Sequence, residues 1–220
     1  MRHWLLLVLV CLAGSAAAQP NGILLVAKPG LPDPSFSEAV VLVAWTEDGS
    51  TVGVILNRPS GERLVDVAPT WPGAANFKEP LYSGGPVMRQ VVVALFDSAG
   101  EPKAKAFRVL PRVYLSMHPA NLEPLIARQS GATSGRMRLY AGFSGWAPSQ
   151  LEAEIDRGTW YSMRATADLL FRKDTSGMWQ ELVEKARGAR ADTVPVPFDI
   201  LVPCFACFAS SSPSPHSLPP

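Results

Sequence analysis

The run from Leu139 to Phe171, LYAGFSGWAPSQLEAEIDRGTWYSMRATADLLF, constrains the fold more than any other part of the chain. It reads as a strand, a Gly-Trp turn, a short helix, a glycine stop, a second strand and another short helix. From Arg136 to Phe143 charged and apolar residues alternate, the period of a half-buried strand. Gly142 and Gly145 are expected to break that strand, because glycine permits a tight turn or the close approach of another backbone. Two starts remain open for the helix that follows: Pro148 suits its first turn, and Ser149 with Glu152 fits a capping box. Leu151 and Ile155, four apart, give it one buried face, with Glu152, Glu154 and Arg157 expected to look outward. Gly158 stops it as a left-handed cap, and Thr159 to Met163 can return beside the first strand.

At the other end the chain opens with MRHWLLLVLVCLAGSAAAQP. Arg2 supplies a positive start, Trp4 to Leu12 an apolar segment, and Ala16-Ala17-Ala18 a small-residue cleavage site. Residues 1–18 therefore read as a secretory signal peptide, and the apolar segment is too short to span a bilayer. Val10 before Cys11 is not the small residue that lipoprotein processing wants. The expectation is an exported protein, periplasmic or secreted; a start site nearer Asn21 would make it cytoplasmic instead. The chain has 20 basic and 19 acidic residues, so losing Arg2 with the leader balances them. Such a surface offers no long-range attraction for nucleic acid or an anionic membrane. The remaining length, about 200 residues, suffices for one core, and no later run is apolar for long enough to cross a membrane.

Between these ends the pattern is mostly strand. Gly22 to Ala27 is a buried strand, and the prolines of PGLPDP make a rigid turn after it. Ala39 to Glu47 and Thr51 to Asn57 flank Asp48-Gly49-Ser50, a hairpin signal. Further strands are expected at Gln90 to Asp97 and Ala106 to Ser116, with a brief one in LYSGGPV. Helices are expected around Arg63 to Val67, at Ala120 to Arg128, and at Thr175 to Arg187, where Trp179, Leu182, Val183 and Ala186 share a face. Locally paired strands with interspersed helices argue for an α+β fold with a largely antiparallel sheet over residues 19–187. Residues 188–220 are rich in Pro and Ser and read as a flexible tail.

The segments GILLVAKPGLPDPSF, VGVILNRPSG, LYSGGPV, VYLS, AGFSGWAPSQLEAEIDRGTW and ADLLFRKDTSGMW, in that order from Gly22 to Ala186, resemble the YqgE/AlgH family. The resemblance implies a bent sheet folded into a pseudo-barrel with flanking short helices. It implies no biochemical activity, since none is settled for the family; one member is linked to regulation of exopolysaccharide synthesis, which adds the expectation of a regulatory role. Two departures stand out. The family is mostly cytoplasmic, against the leader seen here. Trp45 stands where the family carries a histidine, and Ala147 and Ser149 where it favours glycines.

The residues do not spell out a catalytic set. Ser144 in GFSGW is off by one from a nucleophile elbow, and His118, the one histidine within the domain, sits in a loop without a partner in view. No His/Cys/Asp/Glu group has metal-ligand spacing, and no cofactor is implied. Glu152 and Glu154 are expected on a solvated helix surface rather than as a paired-carboxylate site. Cys204 and Cys207 form a CxxC in the tail, where a disulfide suits an oxidising compartment better than redox catalysis, which wants a helix N-terminus.

The strongest candidate site lies in three strand-end corners: Asn57-Arg58-Pro59, Gly84-Gly85-Pro86, and Gly145-Trp146 with Gln150. Glycine N–H groups can form an anion nest, Arg58 a bidentate clamp and Trp146 a flat wall. The same residues also serve as plain fold determinants, so coordinates decide between the two uses. The expectation is non-enzymatic binding of a small, anionic ligand or of a protein partner by Asn57, Arg58, Gly84, Gly85, Trp146 and Gln150. A hydrolase or transferase in the same groove and a thiol-redox or assembly role of the tail are the competing expectations.

Overall fold

The computed structural model describes residues 21–128 and 136–188. Nine strands lie in this part: β1 (Gly22–Ala27), β2 (Val40–Trp45), β3 (Thr51–Ile55), β4 (Tyr82–Ser83), β5 (Val87–Asp97), β6 (Phe107–Leu110), β7 (Val113–Ser116), β8 (Met137–Trp146) and β9 (Trp160–Arg164). Five short helices accompany them: α1 (Leu64–Val67), α2 (Pro119–Arg128), α3 (Gln150–Asp156), α4 (Ala167–Leu170) and α5 (Met178–Gly188). The sheet runs β6-β7-β5-β8-β3-β2-β1-β9, and all these pairings are antiparallel; β4 alone lies parallel, beside β8. The expected α+β fold with a bent, mostly antiparallel sheet is what the chain adopts.

The sheet curls into a half-barrel and carries apolar clusters on both of its faces, its curvature coming from strand twist and from register shifts such as that between Val87 and Val92. Along β1, Leu24 and Val26 join an inner cluster with Val40, Leu42, Tyr140 and Leu115, while Ile23, Leu25 and Ala27 join an outer one. Continuous apolar runs such as GILLVA thus mark strands buried on both sides. The curl brings β6 back to the start of β1, where the Asn21 N–H donates to Arg108 O at 3.2 Å. On the convex side, α1 and α2 cover β5, β7 and β8 through Leu64, Leu122 and Ile126. The open side is filled by Leu170 of α4 and Met178, Leu182 and Val183 of α5. The Trp179 indole N–H fixes α5 to β1 by donating to Ala27 O at 2.8 Å.

Several expectations change in detail. Ala106 to Ser116 is not one strand: Pro111 and Arg112 turn it into the β6–β7 hairpin, with Arg112 at φ 65°. Gly142 and Gly145 do not break β8, which runs ten residues unbroken. Gly142 takes φ 73° inside it, and the irregularity falls on β5, whose register with β8 shifts between Val87 and Val92. β9 returns beside β1, not beside β8. Ser149 makes no capping box; it sits at φ 63° with no side-chain bond to the helix. The turn is closed instead by the Ala147 N–H donating to Gln150 Oε1 at 3.1 Å.

Candidate functional site

The end of β3 fastens a loop. Asn57 Oδ1 accepts from the Val40 N–H at 2.9 Å and its amide donates to Glu38 O at 2.9 Å. Arg58 donates through Nη1 to Ser35 O at 2.6 Å and through Nη2 to Ser37 O at 2.9 Å. The guanidinium fork thus grips the two carbonyls on either side of Phe36. That ring stacks on Trp146 with centroids 5.6 Å apart and meets the edge of Trp160 at 5.5 Å. Both indole N–H groups converge on Glu154 Oε2, from Trp146 at 3.0 Å and Trp160 at 2.9 Å. Gln150 completes the set, its amide donating to Glu154 Oε1 at 3.1 Å.

Asn57, Arg58, Trp146 and Gln150 therefore belong to one connected network, and its partners are all protein. Trp146 is 4% exposed, so it is packed core and not the wall of a groove. Glu152 and Glu154 do not look out to water as expected. Both are half-buried, and Glu152 Oε1 accepts from the Trp45 indole at 3.3 Å. Indole N–H groups bury well only with an acceptor, which is why the carboxylates turn inward.

The glycine corner is likewise closed. The Gly84 N–H donates to Ala141 O at 2.9 Å, and Gly84 O accepts from the Ile55 N–H at 3.0 Å and from Ser144 Oγ at 3.1 Å. A Cβ on Gly84 would stand 2.1 Å from Gly142 O, and one on Gly85 2.4 Å from Phe143 O. These glycines let the Gly84–Gly85 backbone pass between β3 and β8, and the Gly84 N–H, bonded to β8, cannot serve an anion nest. The same geometry disposes of the serine: Ser144 is wholly buried with its hydroxyl committed to Gly84. His118 Nδ1 accepts from the Ala120 N–H at 3.2 Å, a bond within the entry to α2. Among the described residues no group of three His, Cys, Asp or Glu side chains can hold a metal ion. Cys204 and Cys207 lie outside the described residues, as do residues 1–18, where a leader is expected.

An open concavity lies elsewhere, at one mouth of the half-barrel. β7 and β8 both flank β5 antiparallel, so their first residues stand beside its end. The Asp97 N–H donates to Arg136 O at 2.9 Å and the Ser98 N–H to Arg112 O at 2.8 Å. Asp97, Arg112 and Arg136 thereby share one rim of an open cleft of about 470 Å³ that Pro111, Ala165, Thr166 and Ala167 also line. Arg136 Nη2 pairs with Asp97 Oδ2 at 3.2 Å, while Arg112 Nε stays 3.8 Å from Asp97 Oδ1. Arg136 also lies over the Phe171 ring, 4.9 Å from its centroid. Deeper on the same face of β8, Arg138 is 7% exposed. It donates to the carbonyls of Leu170 and Arg172 at the end of α4 and covers the Tyr82 ring at 4.5 Å. Below it the Tyr140 hydroxyl has no hydrogen-bond partner, and burial pushes its pKa up against the opposing charge of Arg138. Sequence reasoning missed this rim because its residues come from three separate segments, and only the strand pairing brings them together.

The family model described as AlgH-like (DUF179) matches residues 24–191. The chain belongs to the AlgH-like family. A UPF0301 protein of Thermobifida fusca is 35% identical over 184 residues, covering 81% of this chain and 93% of the relative. One from Streptomyces coelicolor is 31% identical over 187 residues, with the same coverages. A crystal structure of a protein from Corynebacterium diphtheriae superposes with a TM-score of 0.59 at 27% identity, over 81% of this chain and 90% of that one. The solution structure of AlgH from Pseudomonas aeruginosa gives a TM-score of 0.60 at 23% identity, over 78% and 90%, and shows the shared fold. In this AlgH-like domain the left-handed backbone of Ser149 gives the physical reason a glycine suits that position.

Proposed function

We propose that this AlgH-like chain is an exported, non-catalytic binding domain, acting through ligand occupancy in a regulatory role, and that its ligand enters the cleft at the mouth of the half-barrel. The observation that carries the reading is the charged rim, where Arg112, Arg136 and Asp97 border an open depression of about 470 Å³. Converging polar side chains at such a depression give a small ligand the contacts that orient it. Two further observations support it. The Ser144 hydroxyl is buried and bonded to Gly84 O rather than to a histidine, and the corners around Arg58 and Trp146 are filled by protein. Export rests on the leader pattern of residues 1–18.

Native mass spectrometry of the protein purified from its own host tests both parts. A chain mass beginning at Gln19 is expected, carrying a co-purifying small molecule that Ala167→Trp, which fills the cleft, removes. An uncleaved chain beginning at Met1 would refute export. A bound mass retained at the wild-type level by Ala167→Trp would refute the cleft.

A further inference from the structure

The rim of the mouth cleft has an uneven charge. Two guanidiniums, each with five donors, face a single carboxylate, and that carboxylate is only half used by them. Asp97 Oδ2 takes one contact from Arg136 at 3.2 Å. Its Oδ1 has no hydrogen-bond partner, and Arg112 at 3.8 Å is beyond hydrogen-bond reach. Arg112 is 67% exposed and Arg136 48% exposed at the side chain, so both can meet a solute. The Arg112 backbone also stands at φ 65°, a left-handed conformation in which glycine or asparagine is cheaper than arginine.

Resting on the cleft as the binding site, we infer that it takes a small multivalent oxyanion of the phosphate class, free or as a monoester, and that Asp97 is a resident competitor. The side chain of Asp97 offsets one of the two positive charges in the empty state and yields the guanidiniums to an anion of higher charge. A singly charged carboxylate ligand gains little by replacing one carboxylate with another. A dianion with three oxygens gains a second charge and can be gripped bidentately by both forks.

The test is a titration of the mature chain with inorganic phosphate, glycerol phosphate and acetate, followed by calorimetry or amide chemical shifts. Wild-type protein should bind inorganic phosphate with a Kd on the order of millimolar, as expected for exposed charges, and acetate at least fivefold more weakly. Asp97→Asn should tighten phosphate binding roughly fivefold to twentyfold, the effect of removing one charge at close range near a surface. Arg136→Gln and Arg112→Gly should each weaken it at least fivefold. Arg112→Gly suits its backbone conformation, so its melting temperature should not fall and lost binding cannot be put down to misfolding. A higher affinity for glycerol phosphate than for inorganic phosphate would identify an ester as the ligand; the reverse order would identify the free ion. Unchanged affinity in Asp97→Asn and Arg112→Gly, or weaker binding in Asp97→Asn, would overturn the inference. If phosphate fails to bind while Ala167→Trp still expels a co-purifying molecule, only the phosphate class falls. Phosphate binding that survives Ala167→Trp removes the cleft reading as well.

Discussion

At the scale of single residues, Glu154 does the most for the outer core. One carboxylate oxygen accepts from two buried indoles, and the other holds Gln150 at the start of α3. Removing it leaves two indole N–H groups without acceptors, and each such group costs about 1–3 kcal/mol. Glu154→Ala should therefore destabilise the protein by roughly 2–4 kcal/mol and shift the fluorescence of Trp146 and Trp160. Urea denaturation reads the first effect and emission spectra the second; a change below about 0.5 kcal/mol, the range of ordinary surface substitutions, would show that water replaces the carboxylate. Asn57, Arg58, Trp146 and Gln150 were legible in the sequence as residues with a job. Their pattern of donors and flat rings is the same whether it recognises a ligand or another part of the chain, so the job itself was not.

At the scale of elements, the β2–β3 hairpin shows a turn set by local chemistry. Gly49 sits at φ 79°, and Asp48 accepts from the Thr46 hydroxyl and from the Ser50 N–H. The Thr46 hydroxyl, then the Ser50 N–H, hold the Asp48 carboxyl below the usual carboxylate range. A depressed folded-state pKa adds stability that is present above the unfolded value near 3.8 and is lost as pH falls through the folded value. Melting temperatures of wild type and Asp48→Asn should accordingly differ above pH 5 and converge as the pH falls through the lowered folded value. A constant gap across that range would mean that the charge of Asp48 plays no part. This hairpin was readable because its signal lies within three consecutive residues. The β6–β7 hairpin was not, since Pro111-Arg112 carries no glycine and reaches the left-handed turn at Arg112 against local preference.

At the scale of the whole molecule, the half-barrel is completed by α4 and α5. Leu182 of α5 is buried in the inner cluster with residues of β1, β2, β5 and β8, so α5 cannot leave without exposing the core. Leu182→Ala should cost about 2–5 kcal/mol and lower hydrogen-exchange protection in β1 and α5 together. Protection lost in α5 alone would show that the helix docks as a separate unit. Composition and apolar runs by themselves determined the α+β class, most strand positions, the hairpin at Asp48-Gly49 and the apolar face of α5, because each depends on neighbours a few residues apart. The tertiary structure alone decided that β9 lies on β1, that Trp146 and Glu154 face inward, and that Asp97, Arg112 and Arg136 share one rim. Those outcomes depend on the curl of a sheet buried on both faces, and no local pattern encodes which distant strand ends a curl will bring within reach of one another.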